Sequence, residues 1–315
     1  MAFEKGNKKV ITAWTWFDWA NSVYPLVITT AVFPLYFGSV MPEELDFLGG
    51  HFKSSELYAY SISFSFLLVS LISPILSGMA DYAGRKRLFM QIFSTIGAFS
   101  SAMLFFFTGP ENLWLGLLFS VLASIGFAGS LVFYNAFLPE IAHEDQMDMV
   151  SARGFTMGYI GSSILLIVNL VMIMKPEMVG LGKDGGLFAT QLSFLMAGIW
   201  WFAFAQISFA GLPGRTEGPK KDMSNILGRG FRELKSVVKL LFQPQQKRLR
   251  LFLMAFFFYS MGYMTVIYLA SLFGKKVLHL EDSALITTIL IIQFVAIGGS
   301  YFFAWLSKKI GTVSY

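Results

Sequence analysis

An aspartate and an asparagine lie within the first long apolar stretch of the chain, in the segment WFDWANSVYP (residues 16–25). Asp18, Asn21 and Pro25 are spaced i, i+3 and i+7, so a helix places them on one face. A carboxyl group can bind a proton or a cation, and an amide can donate a hydrogen bond to a carboxylate. Asp18 and Asn21 are therefore candidates for coupling or substrate contact. The alternative for Asp18 is a structural ion pair, for instance with Arg153.

Further polar side chains interrupt later apolar stretches and extend the set of substrate or coupling candidates. These are Asn135, Asn169 and Gln191. The Asn135 amide could donate to a solute carboxylate, or it could simply bond a neighbouring helix. Polar groups of this kind are costly in an apolar environment, so each is expected to face a partner or a cavity.

A second constellation is the segment DYAGRKR, residues 81–87, which follows an apolar stretch. Gly84 can supply a tight turn, and Asp81 can accept hydrogen bonds from a helix N-terminus or an arginine. The basic residues predict an inner-face charge network together with an acidic residue and one more arginine downstream. The members of this gating loop and network are Asp81, Gly84, Arg85, Lys86, Arg87, Glu140 and Arg153. The simpler interpretation of the loop is a topology anchor.

Small residues at four-residue spacing, Gly154, Gly158 and Ser162, indicate a face that packs closely against another helix. Pro25 removes a backbone donor and is expected to bend its helix.

The elements that carry these residues must be membrane helices. Of 315 residues, 55% are hydrophobic and 14% are charged, and the mean hydropathy is +0.62. A soluble fold could not cover so much apolar surface with so few polar residues. Segments of about 20 apolar residues mark the spans. Eight are predicted, near 12–38, 57–79, 88–108, 113–139, 153–174, 187–211, 249–273 and 283–306.

Most of the 24 lysine and arginine residues fall on the side of the N-terminus, which predicts that this side is cytoplasmic. Three regions follow: an N-terminal six-helix bundle over 1–211, a basic cytoplasmic linker with an amphipathic helix over 212–248, and the start of a second bundle over 249–315. The linker helix is expected to lie along the membrane surface, and a binding surface for a cytosolic regulator is the alternative.

No enzyme signature is present in the sequence. There is no cysteine, and the three histidines lack metal-ligand spacing, so no metal site or cofactor is expected. A phosphate-binding glycine–lysine loop and a hydrolase motif are also absent. The basic charge belongs to loops beside membrane spans, and no nucleic-acid partner is expected.

The Asp-x-x-Gly-Arg-Lys-Arg loop resembles the loop signature of the major facilitator superfamily, although Ser77 replaces the leading glycine. Four longer stretches resemble its vacuole effluxer-like branch, related to the autophagy-associated vacuolar amino-acid exporter of yeast. They are WFDWANSVY (16–24), FYNAFLPEIA (133–142), SARGFTMGYIGSS (151–163) and SFLMAGIWWFAF (193–204).

The resemblance implies an all-α, polytopic integral membrane protein with the major facilitator fold. A six-helix bundle would be followed by the first two helices of a second bundle. Because the family has twelve spans, the chain is expected to be a fragment that lacks four helices. In the family the loop is thought to clasp neighbouring helices and to bias the inward–outward equilibrium.

The expected function is secondary transport of a small solute across a bacterial inner membrane by alternating access, without a cofactor. The resemblance implies amino acids as substrate and export as direction. Proton coupling through Asp18 is a further hypothesis, and a monomer is expected. The alternatives are a drug or sugar carrier of the same superfamily, or a non-transporting membrane scaffold or regulator.

Overall fold

A computed structural model describes residues 4–83, 85–182, 185–214 and 226–310. Within these residues, eight helical segments are long and apolar enough to cross a membrane, which confirms the number predicted from the sequence. The spans are Lys8–Val40, Ser54–Ser73, Lys86–Phe106, Pro110–Ile141, Glu144–Met174, Gly186–Gly211, Pro244–Ile267 and Ser283–Lys309. The protein is an all-α polytopic membrane protein.

The helices are numbered here in chain order. They are α1 Lys8–Asn21, a π-helical segment Tyr24–Val32, α2 Phe33–Val40, α3 Ser54–Ala83, α4 Lys86–Met103, α5 Leu113–Ile141, α6 Met147–Met174, α7 Gly186–Gly211, α8 Ile226–Leu241, α9 Lys247–Lys276 and α10 Asp282–Ile310. The predicted linker helix corresponds to α8. Its helical wheel separates an apolar arc from a basic one, as expected for an amphipathic helix.

The first span is not a regular α-helix, and two prolines explain why. Asn7 begins α1 by accepting hydrogen bonds from the backbone amides of the second and third residues after it. Pro25 and Pro34 each lack an N–H, so both ends of the intervening segment lose an α-helical bond. Between them the backbone is π-helical, and the Thr29 hydroxyl donates to the carbonyl oxygen five residues back, at 3.5 Å. The bend expected at Pro25 takes this form.

Span one forms the centre of the first six spans. It packs against α6 and α7, while α4 packs against α5 and α7, and α3 packs against α5. Large aromatic side chains fill the interior, and Phe17, Phe33, Phe133 and Trp201 are fully buried. A helix that is apolar on all sides is expected to be buried among other helices, as span one is here.

The last two spans, α9 and α10, contact the first six mainly through α10, which packs along α6. Helix α9 lies beside the π-helical segment and α2. The apolar window of α9 has no buried residue, so this helix presents its side chains outward almost everywhere.

A two-stranded antiparallel hairpin, which was not predicted from the sequence, connects span one to α3. Strand β1 is Glu44–Phe47 and β2 is Gly50–Lys53. Leu48 and Gly49 between them both have positive φ, as a tight two-residue hairpin turn requires. The exposed His51 ring bonds the carboxylates of Asp46 at 2.8 Å and Glu44 at 3.2 Å. These hydrogen bonds raise the pKa of His51 above its usual value, and the bond with Asp46 contributes most.

Candidate functional site

Helix α6 carries the candidate site because its two faces meet different partners. One face holds three glycines and lies against α1. The other face holds hydroxyl and aromatic side chains and lies against α10. The helix therefore joins the first six spans to the last pair.

On the α1 side, the carboxyl group of Asp18 is buried, with 7% of the residue exposed. The Tyr134 hydroxyl donates a hydrogen bond to its Oδ2 atom at 2.5 Å. Tyr134 is held in turn by Trp14, whose ring stacks on it at 4.2 Å and whose indole N–H donates to the Tyr134 carbonyl oxygen at 2.9 Å. Packing thus fixes the hydroxyl that solvates the carboxyl group.

The glycines of α6 make this arrangement possible. A Cβ atom on Gly154 would lie 2.4 Å from Asp18 Oδ2 and 2.9 Å from the Tyr134 hydroxyl. A Cβ atom on Gly158 would lie 2.4 Å from Ser22 Oγ. Ser162, on the same stripe, is buried and bonds the Gly158 carbonyl of its own helix at 2.7 Å. The predicted small-residue face is therefore the surface that admits the side chains of α1.

The ion pair proposed between Asp18 and Arg153 is absent. Arg153 is exposed and pairs with no carboxylate in the part of the chain that the structure describes. Helix geometry explains this. Position 154 faces Asp18, and successive residues of an α-helix are rotated by about 100°, so the side chain of Arg153 points away from Asp18. Asp18 therefore has a hydroxyl partner and, among the residues that the structure describes, no cationic one. An ionised carboxylate in such surroundings has a high free energy unless a proton or a cationic ligand neutralises it.

The other polar candidates are placed in different environments. Asn21 is buried with its Nδ2 unpartnered, and Asn169 is fully buried with neither amide atom bonded within the described ranges. Asn135 is exposed, although it directly follows the buried Tyr134. Gln191 lies near the start of α7 and donates to the Phe107 carbonyl at 3.3 Å. The structure therefore does not bring Asn135 or Gln191 to the Asp18 carboxyl group.

The basic loop contacts two helices through its last two residues. Lys86 Nζ, which is buried, donates to Glu140 Oε1 at 2.8 Å and to the Ala136 carbonyl at 3.2 Å. The Arg87 guanidinium donates to the carbonyls of Phe209 and Leu212 at 3.2 and 2.9 Å. Helix α4 is thereby tied to the ends of α5 and α7.

Within the network predicted around Glu140, the partner that the structure shows is Lys86, and not Arg85, Arg87 or Arg153. Lys86 is the first residue of α4 and faces α5, whereas Arg85 precedes the helix and is exposed. Gly84 lies outside the described residues, as does the side chain of Asp81.

On its other face, α6 meets α10 through hydroxyl groups. Thr156 Oγ1 lies 3.2 Å from Ser300 Oγ, and Ser307 donates to Asp148 Oδ2 at 2.5 Å. Between these contacts is an open cavity of about 490 Å³. Its lining includes Ser151, Phe155, Tyr159, Gly299 and Phe303. None of these residues was predicted as a site residue, since a single sequence does not show which helices meet.

Chemically, the site combines a buried carboxyl–hydroxyl pair with a polar helix interface inside a membrane protein. No cluster of three or more metal-ligating side chains occurs among the described residues. This arrangement suits binding and release of a proton or a small polar solute. Polar groups within membrane helices commonly line the pathways of ions and substrates.

Comparison with known proteins places the chain in a family. The family described as "Vacuole effluxer Atg22 like" matches residues 6–314. The uncharacterized MFS-type transporter YxiO of Bacillus subtilis strain 168 is 36% identical over 301 residues, 94% of this chain and 67% of its own.

Autophagy-related protein 22-1 of Penicillium rubens is 23% identical over 83% of this chain, and autophagy-related protein 22-2 of Neosartorya fischeri is 22% identical over 84%. The chain spans only 55% and 54% of these fungal relatives. The family description is of an effluxer and the Bacillus relative is named a transporter; neither is an enzyme. This multi-pass membrane chain belongs to the vacuole effluxer Atg22-like family.

Proposed function

We propose that the protein is a secondary transporter that exports a small solute, an amino acid, by alternating access. The observation that carries this proposal is the Asp18 carboxyl group, buried between α1 and α6 with a hydroxyl partner and no cation in the described residues. The family's description as an effluxer and the transporter name of the Bacillus relative support it.

In this proposal, α6 moves with α1, because their contact is too close to slide, and the α6–α10 contact opens and closes. Two bodies that rock about a shared site are what alternating access requires. Asp18 binds the coupling proton, since protonation removes the cost of a buried charge.

The substrate class rests on the resemblance and on two unpartnered amides. An amino acid presents a carboxylate and an ammonium group, so its site needs both donors and acceptors. Asn21 Nδ2 is a free donor, and the Asn169 amide offers both functions without a protein partner among the described residues. A carrier of sugars or drugs binds no zwitterion, so its site would not need donors for a carboxylate together with acceptors for an ammonium group.

The test is transport by the protein purified from its own membranes and reconstituted into liposomes. Counterflow of labelled amino acids, sugars and a cationic drug identifies the solute. The Asp18→Asn variant is expected to retain counterflow and to lose accumulation driven by a pH gradient. The matched control is Asp145→Asn, an exposed carboxylate outside the α6–α10 contact, which should retain both. Equal pH-driven transport by wild type and Asp18→Asn would refute proton coupling.

A scaffold or regulator would show no counterflow with any solute and would tolerate both Asp18→Asn and Asn135→Ala.

We further infer a bacterial plasma membrane location, a cytoplasmic N-terminus and a monomer. Because the chain has no cysteine, single cysteines report orientation directly. Lys5→Cys should react only with a membrane-permeant maleimide, and Leu48→Cys at the hairpin tip should react with an impermeant one.

A further inference from the structure

A groove at the basic end of span one lies outside the site described above. It lies between the first turns of α1 and the end of α7 and has a volume of about 370 Å³. Its lining consists of Lys8, Lys9, Thr12, Ala13, Trp16 and Ile207. The floor is tight, because a Cβ atom on Gly211 would lie 2.4 Å from the Cβ of Ala13.

The polar end of the groove is positively charged. Lys8 and Lys9 are exposed and form no ion pair with any residue that the structure describes. They occupy the first turn of α1, where the helix dipole also favours an anion. Thr12 adds an exposed hydroxyl group one turn further along. These groups fit a phosphate that approaches from the membrane surface.

The other end of the groove continues into an aromatic strip between α1 and α7. Trp16 stacks with Phe204 at 6.0 Å, and Trp19 stacks with Trp200 at 5.8 Å. All four rings are partly exposed, so the strip presents an apolar surface to the outside of the bundle. Tryptophan at the end of a membrane span is typical of the interfacial region of the bilayer.

We propose that this groove is a binding site for an anionic phospholipid. The phosphate lies between Lys8, Lys9 and Thr12, and one acyl chain follows the strip from Trp16 towards Trp19. The occupant comes from the bilayer because both flanking helices span it, and charge complementarity selects an acidic head group. A free phosphate would use only the lysine end. The site is independent of the transported solute.

The experiment is native mass spectrometry of the full protein with phosphatidylglycerol or phosphatidylcholine in mixed micelles. Wild type is expected to retain phosphatidylglycerol in preference to phosphatidylcholine. The double variant Lys8→Gln/Lys9→Gln should lower phosphatidylglycerol retention about tenfold or more, as loss of two surface cations implies. Glycerol phosphate added in excess should not displace the lipid.

The matched control is Lys308→Gln/Lys309→Gln, which removes two exposed lysines in the last turn of α10 that do not line the groove. Its retention of phosphatidylglycerol should stay within about twofold of wild type. Equal losses in both double variants, or no preference between the two lipids, would overturn the proposal. A photoreactive phosphatidylglycerol gives an answer even if a variant misfolds: wild type should be labelled between Thr12 and Trp16, and labelling elsewhere alone would contradict the site.

Discussion

The two faces of α6 differ in how closely they meet their partners. Against α1, the contact is so close that a Cβ atom on Gly154 or Gly158 would lie 2.4 Å from Asp18 Oδ2 or Ser22 Oγ. Against α10, the contact consists of hydroxyl pairs beside an open cavity of about 490 Å³. One glycine of α10, Gly299, would meet nothing within 4 Å if it carried a Cβ atom.

This difference separates a fixed contact from one that can rearrange. Close-packed interfaces change only by discrete steps and at high cost, because every displaced atom loses its neighbours. Hydroxyl pairs beside a cavity can exchange partners or water at little cost. In the proposed transport cycle we therefore expect the first six spans, α6 included, to move as one body, with the relative motion between α6 and α10.

The largest effect is expected from locking the looser face. The Thr156 and Ser300 hydroxyl oxygens are 3.2 Å apart, within reach of a disulfide, and the chain has no native cysteine. Oxidation of the Thr156→Cys/Ser300→Cys protein should reduce counterflow to background, and reduction should restore it. The single-cysteine proteins, treated identically, serve as controls. Unchanged transport in the fully cross-linked protein would show that motion lies elsewhere.

The next effect comes from adding one methyl group to each face. Gly154→Ala places a Cβ atom against Asp18 and Tyr134, and overpacking of this kind costs about 1–3 kcal/mol of unfolding free energy. Gly299→Ala has open space and should change stability by less than about 0.5 kcal/mol. Denaturant unfolding in detergent measures both. Similar destabilisation by the two variants would mean that the faces do not differ in packing.

An effect of similar or smaller size follows from removing one hydroxyl on each face. Tyr134→Phe leaves a buried carboxyl group without its donor, at an expected cost of about 1–3 kcal/mol at most. Ser307→Ala removes the partner of Asp148, which is exposed and can bond water instead, so the cost should stay below about 0.5 kcal/mol. The same unfolding assay applies, and an equal cost would argue that Asp18 is hydrated.

The smallest effect on stability is expected from the exposed carboxylates of the hairpin, whose contacts with His51 are open to solvent. The pKa of His51 is raised by hydrogen bonds with Asp46 and Glu44. The stabilisation is therefore fully present below the ordinary histidine pKa of about 6.5 and is lost as pH rises through the higher folded value. The His51 ring signal, followed by NMR across this range, should titrate above that value. In the Glu44→Gln/Asp46→Asn protein the titration should return to it.

Much of the fold was predictable because each span carries its signal locally. About 20 apolar residues identify a membrane helix whatever it packs against, so eight spans could be read directly. The π-helical segment and the hairpin were not predicted. Pro25 and Pro34 signalled a disturbance without specifying its form, and the Gly49–Gly50 pair was the only sign of the turn.

The candidate site was predictable only in part. The intramembrane carboxyl group and the small-residue stripe of α6 were evident from residue type and spacing, but their partners were not. Helix α5 has apolar residues on all sides, so nothing in its pattern favoured the buried Tyr134 over the adjacent, exposed Asn135. Lys86 could not be chosen over Arg85 either. Which of the two side chains faces α5 depends on the residue at which α4 begins, and the sequence does not define that residue.

The π-helical segment also bears on which changes of chain length this protein tolerates. A π-helical turn holds more residues than an α-helical turn, so the nine residues from Tyr24 to Val32 contain a surplus. Deleting one residue there can be absorbed by a return to α-helical bonding. The same deletion within α1 would rotate Asp18 by about 100° away from Tyr134. Among related genes, single-codon gains and losses in span one should therefore be confined to the stretch between the two prolines.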